Sequence, residues 1–138
     1  MMDLENRSAE ARRIALEAGE TALAFFRQRD QLNVSQKGPQ DFVSQADKEV
    51  ELLVRDRLMA AFPQDGIVGE EHAPRPSESG FVWVIDPIDG TTNFINGIPA
   101  WTVVIAGVSG GQNQLGVIHD PIHAETFAAV RGAGAVLN

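Results

Sequence analysis

Apolar residues recur through residues 3–28 at spacings of three and four: Ile14, Ala18, Ala22, Phe25 and Phe26. That spacing gathers them on one side of a helix, and Arg12, Arg13, Glu17 and Glu20 fall mostly off it. The stripe reads as core. Over 31–43 the pattern changes. Leu32 and Val34 alternate with polar neighbours, Lys37-Gly38-Pro39-Gln40 has turn chemistry, and Asp41-Phe42-Val43 resumes extended chain. A short hairpin with Lys37 at its tip is expected, and on these residues alone Lys37 is an ordinary solvated lysine. A second helix is expected from Ser44. Ser44 can cap it, and Asp47 three residues on completes a pattern like a capping box. Val50, Leu53, Val54, Leu58 and Ala61 form its apolar stripe, and Pro63 follows its end at Phe62.

Strand patterns follow. Gly66-Ile67-Val68-Gly69 is a short apolar run ending in Glu70-Glu71-His72. Residues 73–80 are rich in Pro, Ser and charge and read as a surface loop, and His72 reads as a partly exposed, satisfied histidine. Phe81-Val82-Trp83-Val84-Ile85 is a second apolar run, mostly β-branched or aromatic, as suits a buried strand. It ends at Asp86-Pro87-Ile88-Asp89, where the proline cannot extend a ladder. Beyond Phe94 the chain reads as all-β. Strands are expected over 101–108, 115–118 and 125–130, with a hairpin turn at 109–113, a break at His119-Asp120-Pro121, a turn at 131–134 and a further strand starting at Val136. Short turns without crossover helices disfavour a parallel dinucleotide-binding sheet, and Gly132 and Gly134 do not have a phosphate-loop spacing.

Two strands that both end in acids carry the candidate chemistry. If they share one sheet, Glu70, Asp86 and Asp89 converge at its carboxyl edge, where ligands of α/β sheets bind. Gly90 permits a tight turn, and Thr91, Thr92 or Asn93 can cap a short helix. Carboxylates there can hold a hard cation, and backbone N–H groups at a helix start can hold a phosphate. The plainer alternative is a turn with solvated acids. The buried strand before the acids and the capped turn after them favour a site.

Composition narrows the field. The chain has 138 residues, enough for one domain with a core, and is 43% hydrophobic and 22% charged, as a globular chain is. A net charge of −8 argues against nonspecific binding to nucleic acid or acidic membranes, while a divalent cation can still bring in a phosphate. There is no cysteine, which removes thiolate catalysis and cysteine zinc sites, and oxygen-only ligands favour Mg²⁺. No apolar run reaches membrane-spanning length and no signal core precedes the first helix, so a cytoplasmic protein is expected.

Gly69-Glu70-Glu71 followed by Asp86-Pro87-Ile88-Asp89-Gly90-Thr91-Thr92-Asn93-Phe94 resembles the inositol monophosphatase family of metal-dependent, lithium-sensitive phosphatases. Lys37, Asp41-Phe42-Val43 and Ser44-Gln45-Ala46-Asp47 are similar to its N-terminal hairpin and second helix. The resemblance implies a layered α/β fold of the sugar-phosphatase type, two N-terminal helices on a mainly antiparallel sheet. It implies that Glu70, Asp86 and the carbonyl of Ile88 hold a first Mg²⁺, that Asp86 and Asp89 hold a second, and that a complete site takes two or three. It further implies that Thr91 with Asp47 orients the attacking water alongside Glu70. Gly90 and Thr91 would cradle phosphate, Asp89 would touch substrate, and Lys37 would approach on a loop. The implied partner is a small phosphorylated substrate, and the implied assembly a homodimer.

The substrate implied first is a myo-inositol monophosphate, which Thr92-Asn93-Phe94 suits. Histidinol-phosphate, fructose-bisphosphate and phosphoadenosine-phosphate phosphatases are the alternatives. A different class is an inactive metal-binding or oligomerisation module that uses residues 101–130 as interface. The family's C-terminal motif, roughly Trp-Asp-x-Ala, has no counterpart, because neither Trp83 nor Trp101 precedes an aspartate. Residues 1–138 are therefore expected to be the N-terminal portion of such a domain, without its C-terminal half and its contribution to the second metal.

Overall fold

The computed structural model of the chain describes residues 3–29 and 39–138. The expected hairpin tip, Lys37 included, lies outside them. Helix α1 runs Leu4–Gln28, capped by Asp3, whose side chain accepts the Asn6 amide at 2.9 Å. Its buried stripe includes Ile14, Ala18, Ala22 and Phe26, with Phe25 partly buried beside them.

Helix α2 runs Pro39–Ala61 and corrects the sequence reading. Asp41-Phe42-Val43 is helical rather than extended, and Ser44 and Asp47 lie inside the helix rather than at its cap. The physical reason is twofold. Proline suits a first helical turn, where its missing N–H has no intrahelical partner. Val43 and Ala46 also extend the buried stripe of Val50, Val54 and Leu58 toward the N-terminus, so helical burial overrides the local turn signals.

Among the described residues six strands form one sheet in sequence order: β1 (Gly66–Gly69), β2 (Phe81–Asp89), β3 (Thr102–Ser109), β4 (Gln112–Asp120), β5 (Glu125–Val130) and β6 (Ala135–Leu137). β1 and β2 are parallel, and every later pairing is antiparallel. A short helix, α3 (Thr91–Ile95), leads from β2 toward β3. This is the expected helices-on-sheet α/β architecture. β4 runs through the first two residues of the expected break, to Asp120, and the buried His119 ring lies 2.8 Å from the Thr126 hydroxyl across the ladder; Pro121 follows the strand's end. Trp83, Phe81, Ile85, Val103, Ile105 and Val117 meet the helices in one core. The opposite face stays open, with Val84, Ile118, Phe127 and Leu137 each 40–50% exposed. Among the described residues no helix is long and apolar enough to cross a membrane.

The parallel β1–β2 pair has no crossover helix. Its loop, residues 70–80, is fastened by polar contacts that centre on Asp65. The Asp65 carboxylate accepts two bonds from Arg7 (2.8 and 2.9 Å), one from Ser79 Oγ (2.7 Å) and one from the Trp83 indole (2.9 Å). Burial alone would raise its proton affinity. The bonds and charge of Arg7, with Ser79 and Trp83, outweigh burial and hold it below the ordinary carboxylate range. The Arg7 guanidinium also lies 4.9 and 4.7 Å from the ring centroids of Phe62 and Phe81. One carboxylate thus joins α1, the loop and β2. Asp65→Ala strands three donors and is expected to cost about 3 kcal/mol in chemical denaturation. A loss under about 0.5 kcal/mol would mean the hub is incidental.

Candidate active site

Parallel pairing sets Gly69 beside Ile85, so the residues that follow, Glu70 and Asp86, leave adjacent strands at the same edge. The sequence expectation that the two acid-ended strands share a sheet holds, and the parallel register makes their carboxylates neighbours. β2 does not stop at Pro87. It continues to Asp89 through an irregularity: Asp86 pairs with Val104 and Asp89 with Thr102, so three steps on β2 face two on β3. One extra residue reverses the alternation. Pro87 and Ile88 are consecutively buried, and Asp89, an odd number of residues from Asp86, returns to Asp86's side of the strand.

Asp47 reaches this edge from α2. It is only 9% exposed, and its carboxyl is pushed up to about 7, first by burial and then by the charges of Glu71, Asp86, Glu70 and Glu51. Asp86 is pushed up to about 6 by burial, then by Glu70 and Asp89. The expected residues Asp47, Glu70, Asp86 and Asp89 therefore share one electrostatic neighbourhood. Glu70 and Asp89 are its exposed members, and Ile88 is buried behind them.

Gly90 is the N-cap of α3 at φ +96°, a conformation that favours glycine, and no side chain caps the helix. The expected cap from Thr91, Thr92 or Asn93 is thus corrected. Thr91 is the first helical residue, and the Asn93 amide instead donates to the Ala100 carbonyl at 2.8 Å. Phe94 holds α3 down, wedged 5.3 Å from Phe26 and 5.0 Å from Trp101 between ring centroids. His72 is partly exposed and its Nε2 lies 3.1 Å from the Lys48 carbonyl, as a satisfied histidine does.

Two members of the neighbourhood escaped sequence reading. Glu71 adds a further negative charge beside Asp47. Glu51 is fully buried, paired with Arg55 at 3.0 Å, and accepts the Glu71 amide at 3.1 Å. The available signal was the spacing Asp47, Glu51, Arg55, one position past each apolar residue Ala46, Val50 and Val54.

A second acidic group stands elsewhere. The ligand atoms of Asp120, His123 and Glu125 all lie within 4.8 Å of one another, a closeness that, among the described residues, the carboxylates at the β1–β2 edge do not match as a trio. Its bonds are those of a turn. Asp120 accepts the amides of Ile122 and His123 at 3.0 and 3.1 Å and contacts the exposed His123 ring at 2.7 Å. Hydrogen bonding accounts for that group, whereas burial with unrelieved repulsion at the β1–β2 edge calls for a cation.

An acid cluster at a carboxyl sheet edge, followed by a glycine-capped helix start, is an arrangement that suits a hard cation and a phosphate. Comparison with known proteins gives the family. Residues 3–138 match the model of the inositol monophosphatase family, and the chain belongs to that family. It is 44% identical over 125 residues to a histidinol-phosphatase from Chlorobaculum parvum, covering 91% of this chain and 48% of that one. It is 40% identical over 122 residues to an inositol-1-monophosphatase from Rhizobium meliloti, covering 88% and 46%. The solved inositol monophosphatase of an Anabaena (Nostoc) species superposes with a TM-score of 0.83 at 33% identity, covering 99% of this chain and 48% of that one. The chain spans about half the length of the relatives it matches.

The raised proton affinities give a signed test. Without metal, Asp47 and Asp86 bind protons more tightly folded than unfolded, so they withdraw stability as pH rises from about 4 to about 7. Asp65, held low, is already ionised across that window. His119, whose ring burial keeps neutral, works in the opposite sense, so the effect is read as a difference. In chelator, Asp47→Asn is expected to gain melting temperature relative to wild type between pH 4.5 and pH 7. A pH-independent difference would contradict the assignment.

Proposed function

We propose that this chain is the cation- and phosphate-binding half of a Mg²⁺-dependent phosphomonoesterase acting on small phosphorylated substrates, myo-inositol monophosphates first, with a related sugar, histidinol or nucleotide phosphate as the alternative. One observation carries the reading: Asp47, Glu70, Asp86 and Asp89 gather at one edge, and Asp86 and Asp47 hold protons to about pH 6 and 7 when no cation compensates them. Such a donor set, all oxygen and partly solvated, fits a hard divalent ion.

On this reading Glu70, Asp86 and the Ile88 carbonyl hold a first Mg²⁺, and Asp86 and Asp89 contribute to a second. Mg²⁺ in such a site supplies charge stabilisation to a phosphoryl group and raises the acidity of water. The chain's own residues orient the reactants. Thr91 and Asp47 hold a water on one side, and Glu70 takes its proton. The amides of Gly90 and Thr91 receive phosphate oxygens where the first turn of α3 leaves N–H groups without helical partners. Asp89 also contacts the substrate, and the positive charge of Lys37 is assigned to its phosphate. Asp47 suits its role because α2 holds it, nearly buried, beside the cluster. The remaining ligand of the second ion and the far wall of the substrate pocket belong to the length that relatives have and this chain does not span. Thr92-Asn93-Phe94 favours the inositol substrate, while the 44% identity to a histidinol-phosphatase supports the alternative. A cytoplasmic, lithium-sensitive homodimer completes the proposal.

A second reading, an assembly module without turnover, draws on the open sheet face of Val84, Ile118, Phe127 and Leu137. Metal binding separates the two. Calorimetric titration with Mg²⁺ or Mn²⁺ is expected to give saturable binding that Asp86→Asn weakens about tenfold or more. Equal affinity in both proteins would remove the cation site and leave the assembly reading.

A further inference from the structure

We propose that the buried Glu51–Arg55 pair is a positioning device that fixes the backbone of residues 69–73 and thereby aims the Glu70 carboxylate. The inference rests on the reading of Glu70 as a metal ligand and names how that ligand is held.

The pair lies one α2 turn beyond Asp47 and is nearly dry, Glu51 fully buried and Arg55 7% exposed. A buried ion pair is weak evidence for stability, because desolvation offsets most of its attraction. What distinguishes this one is where its remaining hydrogen bonds go. Glu51 Oε1 accepts the amide of Glu71 at 3.1 Å, while Oε2 accepts Arg55 Nε at 3.0 Å. The two remaining Arg55 nitrogens donate to the carbonyls of Ala73 (2.8 Å) and His72 (3.0 Å). Three successive residues after Glu70 are thus tied to one helix. On the other side of Glu70, Gly69 leaves room for the clamp, since a Cβ there would fall 2.3 Å from Glu51 Oε1. The His72 ring adds its contact to the Lys48 carbonyl on the same helix.

Glu70 stands between these fixed points, outside any strand or helix, with its own side chain exposed. Packing does not restrain it, so its direction is inherited from the backbone. The same helix carries Asp47, so the clamp also sets the distance between Asp47 and Glu70. Groups that orient ligands in this way typically account for about 10–100-fold in metal affinity.

The test uses the whole chain and Mn²⁺ as probe. Glu51→Gln, Gly69→Ala and the double variant Glu51→Gln/Arg55→Met are titrated beside wild type, with circular dichroism and thermal melts as a check on folding. The double variant removes both charges, so no lone buried ion is left to unfold the protein. We expect each variant to lose about tenfold or more in Mn²⁺ affinity, with the double variant melting close to wild type. In a Glu70→Gln background the same changes are expected to cost nothing further, because the clamp acts through Glu70. Full affinity in the folded double variant overturns the proposal, as does an undiminished loss in the Glu70→Gln background. If wild type binds no Mn²⁺, the metal reading of Glu70 fails instead, and the clamp is decided by hydrogen exchange. The Glu71 amide is then expected to exchange at least about tenfold faster in the double variant, and unchanged exchange overturns the clamp as well.

Discussion

Repulsion among carboxylates that the fold will not let separate is the constraint on which the rest depends. β1 and β2 run parallel with Gly69 against Ile85, so Glu70 and Asp86 start from adjacent backbone positions. The irregularity at Pro87-Ile88 returns Asp89 to the same side. α2 presents Asp47 from a nearly closed environment. The backbone positions cannot part without slipping a strand register or unpacking a helix, and both would cost far more than two charges gain by parting, although the exposed Glu70 and Asp89 side chains keep rotamer freedom. The cluster therefore answers in the remaining way, by holding protons or by taking a cation.

The scaffold concentrates cohesion close to the site. The Asp65 hub joins α1 to the loop between β1 and β2, replacing the crossover helix that a parallel pair ordinarily has. The triad of Phe26, Phe94 and Trp101 pins α3 to α1 and sets Gly90 and Thr91 beside Asp89. The far face of the sheet is where cohesion is missing, with apolar side chains exposed from Val84 on β2 to Ile118, Phe127 and Leu137 on β4, β5 and β6.

Much of this was legible in the sequence. Periodicity found both helices and most of the strands along the chain, and the run from Asp86 to Phe94 pointed to the family. What failed was local turn chemistry set against tertiary burial. Lys37-Gly38-Pro39-Gln40 reads as a turn, but Pro39 starts a helix because Val43 and Ala46 have a core to enter. That shift moves Asp47 from a cap into the body of α2, where capping no longer explains it. The sequence also hid Glu51 and Arg55. Charged residues at helical spacing ordinarily mark a solvated face, and only the packing of residues 69–73 against α2 reveals that these two are buried. The irregularity in β2 is foreshadowed by Pro87, though its consequence for Asp89 needs the register of β3.

Among the described residues acids come together at the β1–β2 edge and at Asp120, His123 and Glu125, and only the first is proposed as a cation site. The most direct measurement is anomalous diffraction from crystals of the chain grown with Mn²⁺. The account predicts an anomalous peak in bonding contact with Glu70 and Asp86 at the β1–β2 edge. A peak at Asp120, His123 and Glu125 with none at that edge would contradict it.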